Sequence, residues 1–212
     1  MVQSGAVIED LIIETANMGL SGLEHFSGIP SSVGGAIWQN LHFLSPDRKS
    51  TVFIGDIVQS ALILDHTNGI KEVKRAFFKF GYDDSILHHQ EVIVLEATFN
   101  LKPGDAKRIK AQINENLAWR QQRQPQLDQF PSCGSVFKKI EGVGAGRLID
   151  HAGLKGRRVG GAQVSDMHAN YIVNLGNAKA SDIRALIRTI QKEVLVDSGH
   201  LLEPEIGFVG KL

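Results

Sequence analysis

An α+β fold is the class this sequence predicts, and three observations predict it. Residues 58–75 alternate in strand fashion around a turn signal. Two later stretches, 105–121 and 181–198, carry apolar residues at helical spacing. Hairpins fill the first half and helices flank short strands in the second, which points to α+β.

Each element follows from local chemistry. Ile8, Leu11, Ile12 and Ala16 can share a helix face within 6–18, with Gly19 as the stop. The glycine-rich stretch Gly28-Ile29-Pro30-Ser31-Ser32-Val33-Gly34-Gly35-Ala36 interrupts any helix at Pro30, and Ser31 or Ser32 offers a cap for a new one. In 58–75, Ala61, Ile63 and Asp65 alternate with Leu62 and Leu64, and Asn68-Gly69 reads as a two-residue hairpin turn. A second strand over 91–101 places Val92, Val94, Glu96 and Thr98 on one face and ends at Pro103-Gly104. A helix over 105–121 with the stripe Ile109, Ile113 and Leu117 ends before Gln124-Pro125. Short strands follow around Gln163 and Ile172. Ser181 is the expected cap of a helix burying Ile183, Leu186, Ile187, Ile190 and Val194 and stopping at Gly199, and a last strand covers 206–209. The expected domains are 1–103 and 104–212.

Bulk properties narrow the function. Lys plus Arg and Asp plus Glu are 23 each, so no global field favours nucleic acid or an anionic membrane. The lone Cys133 excludes an internal disulfide framework and a Cys-rich zinc site, and no metal-ligand spacing occurs. Glu9 and Asp10 stand where a secretory leader would be basic, and no long apolar run follows, so a cytoplasmic protein is expected.

Three stretches carry candidate chemistry. The glycine-rich loop 28–36 is either a close-packing turn or a set of backbone N–H groups that hold an anion. In Pro131-Ser132-Cys133-Gly134-Ser135-Val136-Phe137-Lys138, Ser135 is a proton donor, a nucleophile or a plain turn residue. In Leu202-Glu203-Pro204-Glu205-Ile206, an extended chain aims both carboxylates to one side, as a functional or a solvated pair. His168 is a functional or a hydrogen-bonded structural imidazole, and Arg157-Arg158 either a phosphate clamp or a solvated turn.

In this order the motifs resemble the UDP-N-acetylenolpyruvoylglucosamine reductase family. The resemblance is carried by Gly22-Leu23-Glu24, Gly28-Ile29-Pro30, Val33-Gly34-Gly35-Ala36 with Asn40, Phe80-Gly81-Tyr82 with Ser85, and Gln124-Pro125. It continues through Cys133-Gly134-Ser135-Val136-Phe137-Lys138, Ala152-Gly153-Leu154-Lys155-Gly156, Gly160-Gly161-Ala162, Val164-Ser165, His168-Ala169-Asn170, Val173-Asn174 and Leu202-Glu203-Pro204-Glu205. It implies the second part of a two-part FAD-binding domain followed by an α+β substrate-binding domain, in a monomer. It also implies that NADPH reduces the FAD. Hydride then passes to the enolpyruvyl group of UDP-N-acetylglucosamine enolpyruvate, in peptidoglycan precursor synthesis.

By resemblance Ser135 donates the proton and Glu205 polarises or positions the developing enol. Gly28, Ile29, Pro30, Ser32, Val33, Gly34, Gly35 and Asn40 hold the cofactor. Arg120, Arg123, Gln124, Lys138, Ser165, His168 and Asn170 contact the substrate. Two departures stand out. The family's front segment, with its Gly-Ser-Asn loop for the FAD diphosphate, has no counterpart before Gly5, and Asp83 occupies the position where the family carries arginine. The run 41–55 is also unlike the family's. A non-catalytic UDP-sugar-binding module is therefore the competing expectation.

Overall fold

The computed structural model describes residues 1–210, which form two compact units dividing after Arg120. The first contains β1 (Val2–Gln3), α1 (Ile8–Asn17), β2 (Leu20–Ser21), α2 (Val33–Gln39), β3 (His42–Leu44), β4 (Thr51–Phe53), β5 (Val58–Asp65), β6 (Gly69–Lys74), β7 (Val92–Phe99), β8 (Lys102–Pro103) and α3 (Ala106–Arg123) except its last three residues. The second holds β9 (Ser132–Ser135), α4 (Ala145–His151), β10 (Arg158–Val159), β11 (Ala162–Val164), β12 (Tyr171–Asn174) and α5 (Ala180–Ser198). Helices and strands mix along the chain, and every strand pairing among the described residues is antiparallel, without parallel βαβ units.

In the first unit an antiparallel sheet of order β1-β7-β5-β6 sends Ala61, Ile63, Val73, Val94 and Ala97 into a core shared with α1 and α2. The expected single face of Val92, Val94, Glu96 and Thr98 is broken. Leu62 pairs with Glu96 but Ile63 pairs with Val94, so the strand bulges at Leu95 and turns Val94 and Ala97 inward together. The hairpin loop is three residues, not two. Asp65 pairs with Gly69, the Asp65 carboxylate accepts from the N–H groups of Thr67 and Asn68, and Gly69 supplies φ +71°.

Ile109 and Ile113 of α3 join the first core, so the helix packs there and the unit boundary lies later than the expected Pro103. Asn116, fully buried, replaces Leu117 as the next inward residue, because its amide donates to the carbonyls of Glu24 and His25. Leu117 is 38% exposed.

In the second unit a sheet of order β10-β11-β12-β9 packs against α5 through Leu186, Ile187, Ile190 and Val194. Ser181 is not the cap of α5. Lys179 is, and the Asp182 carboxylate accepts from its N–H at 3.0 Å. Residues 206–209 form no strand; pairing there is confined to a bridge between Phe137 and Pro204. Pro204 has no N–H to extend a ladder.

Candidate functional site

The serine segment and the glutamate segment meet in the second unit. Ser135 ends β9 opposite Tyr171, while Ser132 pairs with Val173. Three steps along β9 thus span two along β12, so β9 carries one extra residue. Gly134, at φ +83°, supplies the left-handed conformation such a bulge needs, and the bulge sets the direction of the Ser135 side chain.

Beyond Ser135 the chain is gripped from both sides. On one side Val136 N–H donates to the Asn170 carbonyl at 2.9 Å. On the other, Glu205 N–H donates to the Val136 carbonyl at 2.8 Å and Lys138 N–H to the Glu203 carbonyl at 2.9 Å. Ser135 and Glu205 are both half-buried, and Glu205 pairs with Val136, the residue after Ser135. Glu203 is exposed and ion-paired with Lys138, while Glu205 is half-buried, so the two carboxylates have different surroundings.

The remaining substrate candidates of this unit fall in two groups. Asn170 is 7% exposed and spends its side chain on Phe137: Oδ1 accepts from Phe137 N–H at 3.0 Å and Nδ2 donates to the Phe137 carbonyl at 2.8 Å. Ser165 accepts from the N–H groups of Met167 and His168, so it shapes the turn carrying His168. His168 accepts from Asn170 N–H at Nδ1, leaving Nε2 to carry the proton of the neutral ring. Burial, with Lys155 as a smaller influence, holds its pKa below the ordinary value. An uncharged donor against the Tyr171 ring, 4.9 Å between centroids, is the result. Tyr171 itself escaped the sequence reading, although it follows directly on the His168-Ala169-Asn170 motif. Arg158, exposed, donates through Nε to Gln163 at 2.5 Å. Gln124 and Arg123 lie at the unit's beginning, where Arg123 donates to Gln122.

In the first unit several N–H groups of residues 28–36 are engaged within the fold. Gly28 N–H donates to Glu9, Ile29 to Phe26, Val33 to Ala6, Gly34 to Ser4 and Gly35 to the Ser32 hydroxyl that caps α2. These donors stabilise the loop itself. Pro30 is exposed. Asn40, 4% exposed and at φ 51°, donates to Gly81 O and accepts from Gly55 N–H, so its amide ties the end of α2 to two loops. Arg120 lies over Phe43, 5.3 Å from the guanidinium carbon to the ring centroid, and close to Gly28, where an added Cβ would meet Leu117 at 2.8 Å.

Asp83, also at positive φ, turns inward: Oδ1 lies 3.3 Å from His42 Nδ1, and Oδ2 is buried with no partner. His42 belongs to the 41–55 run, which offered no functional signal in sequence. No group of three or more His, Cys, Asp or Glu side chains suited to a metal occurs among the described residues. None of the described helices is long and apolar enough to cross a membrane.

Residues 124–209, which contain the whole Ser135–Glu205 arrangement, match the family profile of the UDP-N-acetylenolpyruvoylglucosamine reductase C-terminal domain. The reductase of Lactobacillus delbrueckii subsp. bulgaricus is 40% identical over 99% of this chain, which covers 68% of that protein. The chain belongs to the UDP-N-acetylenolpyruvoylglucosamine reductase family. The Caldicellulosiruptor bescii reductase is also 40% identical, over 99% of the chain and 65% of its own length, so this chain spans about two thirds of such relatives. The crystal structure of the Thermus caldophilus reductase aligns with a TM-score of 0.81 at 34% identity, over 95% of this chain and 69% of that one. That alignment takes in residues of both units.

Proposed function

We propose that this chain takes part in reducing UDP-N-acetylglucosamine enolpyruvate to UDP-N-acetylmuramate, with FAD as redox group and NADPH as reductant, in the cytoplasm. The observation that carries the proposal is the backbone pairing that sets Glu205 beside the Ser135 segment. Reduced flavin, when bound, supplies hydride to the terminal carbon of the enolpyruvyl group. The electron pair of the broken C=C then collects on the carboxylate-bearing carbon and its carboxylate as an enolate. Ser135 Oγ gives its proton to that carbon and regains one from solvent. Glu205 polarises or positions the developing enol, and the neutral His168 Nε2–H offers a hydrogen bond without a charge. Arg120, Arg123, Gln124 and Lys138 are proposed as further substrate contacts and Ser165 as the residue shaping the His168 turn.

A second reading, binding of the UDP-sugar without turnover, draws support from two observations: the donors of loop 28–36 are spent within the fold, and Asp83 brings a carboxylate where the family carries arginine. One pair of measurements separates them. The 212-residue chain is supplied with FAD, NADPH and the enolpyruvyl sugar. NADPH oxidation that requires the sugar supports reduction. Calorimetric binding of the sugar without NADPH oxidation supports the second reading, and neither heat nor oxidation overturns both.

A further inference from the structure

Asn170 has a place in the fold that a substrate contact would not require. Its carboxamide is buried, and both of its polar atoms are used on one backbone unit, accepting from Phe137 N–H and donating to Phe137 O. Its own carbonyl accepts from Val136 N–H. Three hydrogen bonds from one residue therefore hold Val136 and Phe137, the two residues that directly follow Ser135. The opposite edge of the same two residues receives Glu205, through Val136 O, and the Phe137–Pro204 bridge.

β9 is short and bulged at Gly134, so its regular ladder to β12 ends at Ser135. A bulged end of a strand has few bonds to define its register. The Asn170 side chain supplies the missing ones. Its N–H in turn donates to His168 Nδ1, which ties the imidazole to the same residue.

We propose that Asn170 is a positioning residue: its side-chain amide sets the register of Val136–Phe137 and thereby places Ser135, Glu205 and His168 relative to one another, without touching substrate. The role rests on the reductase reading for its consequence in turnover but not for its structural content.

The experiment has two arms. Amide hydrogen exchange in the unsubstituted chain should show Phe137 and Glu205 protected to the same extent, since one lock holds both. In Asn170→Asp, which keeps the acceptor for Phe137 N–H but loses the donor to Phe137 O, Glu205 protection should fall about tenfold or more while Ile190 in α5 keeps its own. In the flavin-loaded enzyme the same variant should lower kcat for oxidation by the enolpyruvyl sugar on the order of 10²-fold with KM changed less than about threefold, the signature of misplaced reacting groups. Val194→Ala, a buried change in the same unit, should not reproduce that split. Protection of Glu205 that differs from Phe137 in the unsubstituted chain, or that is unmoved in Asn170→Asp, overturns the proposal. A KM effect with kcat intact also overturns it, since that marks a substrate contact. If the unsubstituted chain never turns over the sugar, the reductase reading fails, and the exchange arm alone decides the role of Asn170.

Discussion

Glu205 N–H donates to the carbonyl oxygen of Val136 at 2.8 Å, and that bond joins the last motif of the chain to the residue after Ser135. The proton donor and the acid proposed for Ser135 and Glu205 should fail in the same half-reaction. In the flavin-loaded enzyme, Ser135→Ala should leave flavin reduction by NADPH nearly unchanged and slow reoxidation by the enolpyruvyl sugar on the order of 10²-fold or more, with Ser135→Cys recovering part. Glu205→Gln should slow that same step. Stopped-flow absorbance of the two half-reactions checks this, and a Ser135→Ala effect confined to the NADPH step contradicts the proton-donor role.

The bulge before Ser135 predicts a separate cost. An added methyl at Gly134 meets nothing within 4 Å, so only the φ of +83° opposes it. Gly134→Ala should destabilise by about 1–2 kcal/mol in urea unfolding. If β9 relaxes the bulge to relieve that strain, reoxidation slows as well, because Ser135 is re-aimed.

Asn40 should prove structural. Its carboxamide bridges Gly81 O and Gly55 N–H from a buried, left-handed position at the end of α2. Asn40→Ala loses both bonds and strains the backbone, an expected cost of about 2–4 kcal/mol by denaturant midpoint. Asn40→Gly, free of the backbone strain, should cost less. Equal losses for the two variants would remove the conformational part of the argument.

Two histidines in the second unit should respond to pH in opposite directions. Burial lowers the pKa of folded His168, so the unfolded chain takes up the proton first. The contribution of His168 is present above about pH 6.5 and is lost as pH falls through its folded value. Asp197, by hydrogen bond and charge, raises the pKa of His151. That contribution is present below about 6.5 and is lost as pH rises through the raised value. Against the unsubstituted chain, His168→Gln should therefore matter most at neutral pH and His151→Gln most in mild acid, as unfolding midpoints across pH 5–8 will show.

Sequence alone made the class and most elements legible, because they rest on local physics. Period 3.6 in α5, period 2 in β5, the Ser32 cap and the Gly19 and Gly199 stops each depend on residues only a few positions apart. The order of the motifs was enough to carry the family resemblance and to single out Ser135 and Glu205. Errors arose where long-range partners overrode the local pattern. The bulge at Leu95 answers to β5, and Asn116 displaced Leu117 by reaching carbonyls of a distant turn. Tertiary structure alone decided how the polar groups are spent: the loop donors of 28–36 on the fold itself, Asp83 on His42, and the Asn170 amide on Phe137. A sequence shows which donors and acceptors exist. Which of them meet depends on buried groups finding partners from remote segments, since leaving one unpaired costs about 1–3 kcal/mol.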